Sequence, residues 1–142
     1  MELTLDQALQ KGIEAHKAGK VQEADRYYTA IIKANPKHSD ANHNMGVLAV
    51  GVGKVEEALP FFKIALESNP EVGQYWLSYI DGLIKFDREI IETLNLVDES
   101  ITVATASNYE RATKNQIVAT IKIIPFAVHE DIMRKCKAVL SK

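Results

Sequence analysis

Histidine and cysteine are the side chains in this chain best suited to metal binding or nucleophilic chemistry. His38, Asp40 and His43 fall in one short stretch, and a divalent metal takes imidazole and carboxylate ligands of this kind. Yet His38 lies in the turn after Pro36, His43 sits a turn inside the next helix, and no further His or acidic ligand recurs nearby. Polar residues at a helix start are the plainer reading. Cys136 lies on an apolar stripe, where a free thiol behaves as a small hydrophobe. A nucleophilic thiol needs an activating cation on its own face, and Arg134 and Lys135 are neighbours in sequence only. No GxGxxG, P-loop or GxSxG pattern occurs. The chain is therefore expected to be no enzyme, with no metal and no cofactor.

Composition narrows the classes further. The 142 residues suffice for one compact unit with a real core. Hydrophobic residues make up 46% and charged residues 25%, as in ordinary globular proteins. Lys+Arg 17 against Asp+Glu 19 gives a net charge of −2, so no basic stripe points to nucleic acid. A single cysteine excludes an internal disulfide framework and suits a reducing cytoplasm. No signal-peptide pattern opens the sequence, and no apolar run approaches the ~18 residues of a membrane span. A cytoplasmic protein without a membrane partner is expected.

The elements that would carry any binding residues are written in a repeat. Gly12, Ala15, Gly19, Lys20, Val21, Glu23, Ala24, Asn35 and Pro36 recur as Gly46, Ala49, Gly53, Lys54, Val55, Glu57, Ala58, Asn69 and Pro70. Asp6 and Asp40 add a tenth pair at the same 34-residue step. That period belongs to helix–turn–helix repeats, units that bury little alone and exist to stack. Each position has a physical reason. Gly12 and Gly46 allow two helices to approach closely, as do Ala15, Ala24, Ala49 and Ala58, while Tyr28 and Phe62 fill the gaps. Gly19 and Gly53 end the first helix of each pair through a positive φ. Pro36 and Pro70 end the second, because proline disfavours helix in the residue before it. Thr4 and Gln7 are placed for a capping box. The pattern predicts helices at about 4–18, 21–34, 39–52, 55–68 and 72–86, with Pro60 bending the fourth modestly.

Those residues resemble the tetratricopeptide repeat. The first copy reads Ala8, Lys11-Gly12, Ala15, Ala24, Tyr28, Ile31 and Pro36, and the second Asn42, Met45-Gly46, Ala49, Ala58, Phe62, Ala65 and Pro70. A third copy begins with Trp76, Tyr79 and Leu83, then departs, with Ile80 in place of the small glycine and Asp87 where the inter-helix glycine belongs. The resemblance covers about residues 4–87. It implies an all-α, helix–turn–helix superhelical solenoid with repeats at 5–38, 39–72 and a degenerate 73–98. It also implies a non-catalytic scaffold that grips a peptide or helix in a concave groove lined by the first helix of each pair. Position by position, the resemblance places Asp6, Leu9, Gln10, Ile13 and His16 in that groove, then Asp40, His43, Asn44 and Val47. From the third repeat it places Gln74, Leu77, Ser78, Asp81 and Lys85 there. Gln10, Asn44 and Ser78 would form a polar ladder able to hydrogen-bond an extended backbone, or would merely solvate an open surface. The family's carboxylate clamp for charged C-terminal tails is disfavoured, since its slots hold Leu9, Ile13, Asn44, Gln74 and Ser78 and only Asn44 matches. The alternative is an accessory repeat domain preceding a bacterial glycosyl-, sulfo- or methyltransferase, as in proteins with stretches similar to Glu56–Phe62 and Tyr75–Tyr79. A non-repetitive tail favours a natural end over that reading.

Beyond Phe86 the texture changes. No glycine follows Gly82, and β-branched residues crowd in. Ile90, Ile91, Leu94 and Val97 keep helical spacing, which predicts a second helix for the third pair at 88–98. The 101–105 and 117–124 runs satisfy both periods: β-branched content tilts toward strand, whereas a helical neighbourhood offers no sheet to join. Helix is the reading adopted. Pro125 suits a helix start, followed by a stripe of Ile132, Met133, Cys136, Val139 and Leu140. Solenoid ends need a cap, so 99–142 is expected to cap its own chain or, as the second choice, to pair with another copy in a homodimer.

Overall fold

The computed structural model describes residues 2–95 together with Arg111, Asn115, Gln116, Ala119 and Thr120. Five helices follow one another: α1 (Leu5–Lys17), α2 (Val21–Ala34), α3 (Ser39–Gly51), α4 (Val55–Ser68) and α5 (Gly73–Asn95). Arg111, Asn115, Gln116, Ala119 and Thr120 are also helical, and there is no strand among the described residues. Of these, Ala119 and Thr120 fall within the 117–124 run and are helical, as read there; the rest of that run and all of 101–105 lie outside the described residues.

The first four helices keep the expected bounds because their ends are chemically specified. Thr4 Oγ1 accepts from the Gln7 N–H at 3.1 Å while Gln7 Oε1 accepts from the Thr4 N–H at 3.0 Å, a complete capping box. Gly19 and Gly53 take φ of 74° and 81°. Around them the Lys20 N–H reaches the Ala15 carbonyl at 2.9 Å and the Lys54 N–H reaches that of Ala49 at 2.8 Å. Gly19 and Gly53 themselves donate to His16 and Val50, completing the same two-bond helix stop twice.

Helix pairing follows from small residues facing large ones. Ala8 clusters with Ile31, Gly12 faces Tyr28, and Ala15 clusters with Ala24, so partners rise along one helix as they fall along the other. α1 and α2 are thus antiparallel. A Cβ on Gly12 would lie 2.6 Å from the Tyr28 ring, and one on Gly46 only 2.5 Å from the Phe62 ring. The rings also bridge outward. Tyr28 shares a cluster with Met45 and Leu48 of α3, and Phe62 with Tyr75, Trp76, Tyr79, Ile80 and Leu83 of α5. Each helix packs on the next in sequence, and α1, α3 and α5 also touch in a row.

The third copy departs from expectation. Helices at 72–86 and 88–98 are predicted, yet α5 runs unbroken from Gly73 to Asn95, and residues 96–98 lie outside the described residues. The reason is the residue at the stop: Gly19 and Gly53 reach positive φ, whereas Asp87 has a side chain that disfavours it. Close approach also moves. Ile80 is buried, and Gly82 instead lets α5 onto α4, where an added Cβ would meet Leu59 at 3.0 Å. Pro60 lies inside α4 on an exposed face. The stripe from Ile132 to Leu140, with Cys136 and His129, lies outside the described residues.

Candidate functional site

The residues proposed for a groove are carried by α1, α3 and α5. Gln10, Val47, Gln74, Asp81 and Lys85 are exposed, and Ile13, His16, His43, Asn44 and Ser78 are half-buried. Most of the polar members are tied to protein neighbours. Gln10 Nε2 donates to Glu14 Oε1 at 3.1 Å, and Lys85 Nζ pairs with Asp81 Oδ2 at 2.8 Å, both along a single helix. His16 lies edge-on to the Tyr28 ring at 6.1 Å, with its Nδ1 3.4 Å from the tyrosine hydroxyl. Burial raises the Tyr28 pKa, keeping that hydroxyl neutral.

The densest cluster joins α3 to α5. His43 Nε2 lies 2.8 Å from Ser78 Oγ, and Gln74 Nε2 donates to the same oxygen at 3.2 Å. The imidazole sits 5.0 Å from the Tyr75 ring and 5.7 Å from the Phe62 ring. Burial lowers the His43 pKa, against the opposing pull of a hydrogen bond with Asn44 and the charge of Asp40. One turn earlier on α3, Asp40 accepts a hydrogen bond from the Tyr75 hydroxyl. Burial, followed by this bond, pushes the Tyr75 pKa up to about 12, with Ser39 acting in the opposite sense. His43, Asn44, Gln74 and Ser78 thus meet through side chains, whereas Gln10 bonds within its own helix.

The histidines and acids of the sequence motif have structural employment. His38 caps α3, its Nδ1 accepting from the Ala41 N–H at 3.2 Å. With Asp40 on Tyr75 and His43 on Ser78, the three point to separate partners. Among the described residues, no group of three or more His, Cys, Asp or Glu is arranged to hold a metal ion. No helix among them is long and apolar enough to cross a membrane.

Two features escape the sequence reading. Tyr75 anchors Asp40 and stacks beside His43, although its slot was not assigned to the groove. The second is a cleft of about 680 Å³ between α2 and α4, floored by Met45, Leu48 and Ala49 of α3 and flanked by Val21 and Phe61. None of the fourteen residues assigned to the groove lines it. The aromatic spacing around Tyr75 was visible in the sequence, whereas a cleft between non-consecutive helices leaves no local signal. Compared with protein-family models and with curated protein sequences, the chain gives no significant match.

Proposed function

We propose that this chain is a non-catalytic interaction module of tetratricopeptide type that holds a peptide or helix of a protein partner along the α1–α3–α5 face. The supporting observation is the row of α1, α3 and α5, which leaves Ile13, Val47 and Leu77 partly or fully exposed among polar neighbours. Val47 is 39% exposed in the middle of that row, a large apolar side chain without cover. The internal hydrogen bonds of Gln10, Ser78 and Gln74 supply rigidity, so a partner meets a surface already ordered. The superhelical stacking of repeats, the cytoplasmic setting and the scaffold role belong to the same proposal. So does the residue set Gln10, Ile13, His16, His43, Asn44, Val47, Gln74, Ser78, Asp81 and Lys85.

The test is a peptide-display selection on the folded protein, followed by fluorescence anisotropy on the selected sequences. Val47→Glu is expected to weaken binding by about tenfold or more, the equivalent of roughly 1.4 kcal/mol. Gln22→Glu, at the separate α2–α4 cleft, is expected to leave it unchanged. Peptides that bind both variants as tightly as the parent place recognition elsewhere.

A further inference from the structure

Each of the first four helices carries an acid in its first turn, but these acids are not treated alike. At the starts of α2 and α4 the repeated Lys-x-x-Glu closes on itself, with Lys20 Nζ 3.7 Å from Glu23 Oε2 and Lys54 Nζ 3.9 Å from Glu57 Oε2. α1 and α3 have Thr4 and His38 at the cap instead of lysine. Their first-turn acids, Asp6 and Asp40, have no ion pair among the described residues. A carboxylate in the first turn complements the helix dipole, which accounts for an acid at all four starts. It does not account for the bare pair.

The bare acids are those of the α1–α3–α5 face. Tyr28 clusters with Met45 and Leu48 while Ile31 clusters with Ala41, so α3 runs antiparallel to α2 and hence parallel to α1. Asp6 and Asp40, one repeat apart, therefore stand at the same edge. Seven residues on, two turns or about 10 Å along each axis, Ile13 and Val47 lie on the same lines. Both acids are exposed, as is Val47, and Ile13 is half-buried. The Tyr75 hydroxyl takes one oxygen of Asp40 and leaves the other. The third slot of the acid row holds uncharged Gln74. The cations of the face stand elsewhere: Lys17 in the last turn of α1, and Lys85 already paired with Asp81 at 2.8 Å.

We propose that the partner segment is a basic amphipathic helix lying along the valley between α1 and α3. An apolar side chain rests on Ile13 and Val47, and a lysine or arginine two turns away meets Asp6 and Asp40. The unpaired carboxylates select the sign of that charge. The spacing selects the conformation. A helix presents one face again after seven residues, over the same rise of about 10 Å. An extended segment covers that distance in about three residues, which puts the first and last side chains on opposite sides. This inference rests on the binding reading above and adds the charge, spacing and conformation of the partner.

The experiment uses peptides selected by display on the folded full chain, read by fluorescence anisotropy and difference circular dichroism. Peptides weakened by Val47→Glu are expected to carry a lysine or arginine seven positions from an apolar residue and to gain helix on binding. Asp6→Asn combined with Asp40→Asn keeps side-chain shape and the acceptor for Tyr75. It is expected to weaken these peptides roughly fivefold, as for two solvent-exposed ion pairs. Added salt should shrink that difference. Gln74→Glu, which extends the acid row, is expected to tighten binding, and Glu23→Gln, at a paired acid off the face, to leave it unchanged. Peptides that depend on Val47 yet ignore the loss of both acids would overturn the charge assignment and leave the binding reading intact. Peptides that bind without gaining helix would overturn the conformation. Indifference to Val47→Glu as well would sink both readings. Should the double variant not fold, the selected peptides with their basic residues exchanged for glutamine decide on the parent protein, equal affinity counting against the proposal.

Discussion

The Phe62 ring occupies the volume that any side chain at position 46 would need. Gly46→Leu is therefore expected to cost on the order of 1–3 kcal/mol or more through overpacking, measured as a lower denaturation midpoint. Gly51→Ala is the matching control. Nothing lies within 4 Å of a Cβ there and its φ is not positive, so the substitution should be neutral or stabilise by up to about 1 kcal/mol. Tyr75 gives a second residue-scale expectation. Its hydroxyl is held neutral by burial and by donation to Asp40, with a pKa raised to about 12. The stability this confers is complete below the unfolded value of about 10 and is lost as pH rises through the folded one. Tyr75→Phe should abolish that alkaline component, read as a flatter stability–pH profile above about pH 10. The glycines and the capping box were legible because each answers a local requirement. The His43–Ser78 and Asp40–Tyr75 contacts were not, since both join residues 35 apart, one step off the repeat. Matching equivalent positions, 34 apart, passes over such diagonal neighbours.

Helix ends show how unlike residues do equivalent work. Asn42 Nδ2 donates to the Pro36 carbonyl at 3.1 Å, and Trp76 Nε1 donates to the Pro70 carbonyl at 2.8 Å. The donors are 34 residues apart, as are the acceptors, so each ties the start of one helix to the proline that ended the last. Asparagine and tryptophan share little beyond a side-chain N–H, which is why the sequence conceals the equivalence. Asn42 also donates to the His38 carbonyl at 2.8 Å, while its buried Oδ1 has no hydrogen-bond partner among the described residues. Asn42→Ala should destabilise by about 1–3 kcal/mol, since it removes both donations at a fully buried site. Calorimetry against Asn35→Ala, at an exposed turn position, would separate this loss from a general effect. The same scale explains the misread third pair. Hydrophobic spacing continues through Ile90 and Ile91 whether or not a turn intervenes, so periodicity predicts helix but not its interruption. The turn depends on a glycine, and Asp87 stands in its place.

At the scale of the whole molecule, the far end of the described helices is partly covered by the chain itself. Gln116 Nε2 donates to the Tyr79 hydroxyl at 3.2 Å, and Thr120 is buried, its Oγ1 bonded to the Gln116 carbonyl at 2.7 Å. With Ala119 they border a recess of about 430 Å³ walled by Leu66, Trp76 and Tyr79. Removing residues 111–142 should expose this aromatic surface and cost on the order of 1–3 kcal/mol, seen as a lower melting temperature and increased binding of a hydrophobic dye. The need for a cap was legible, because the end of a stack of repeats exposes an apolar face. Which residues supply it was not, because no repeat spacing links Gln116 or Thr120 to Tyr79. The α1–α3–α5 face, by contrast, is proposed to receive a partner. The most direct measurement is photo-crosslinking with a benzophenone amino acid placed at Val47, and in parallel at Gln22, in the native host. A discrete protein adduct is expected from position 47, diminished by Ser78→Arg, and none from position 22. Adducts from position 22 alone would contradict it and move recognition to the α2–α4 cleft.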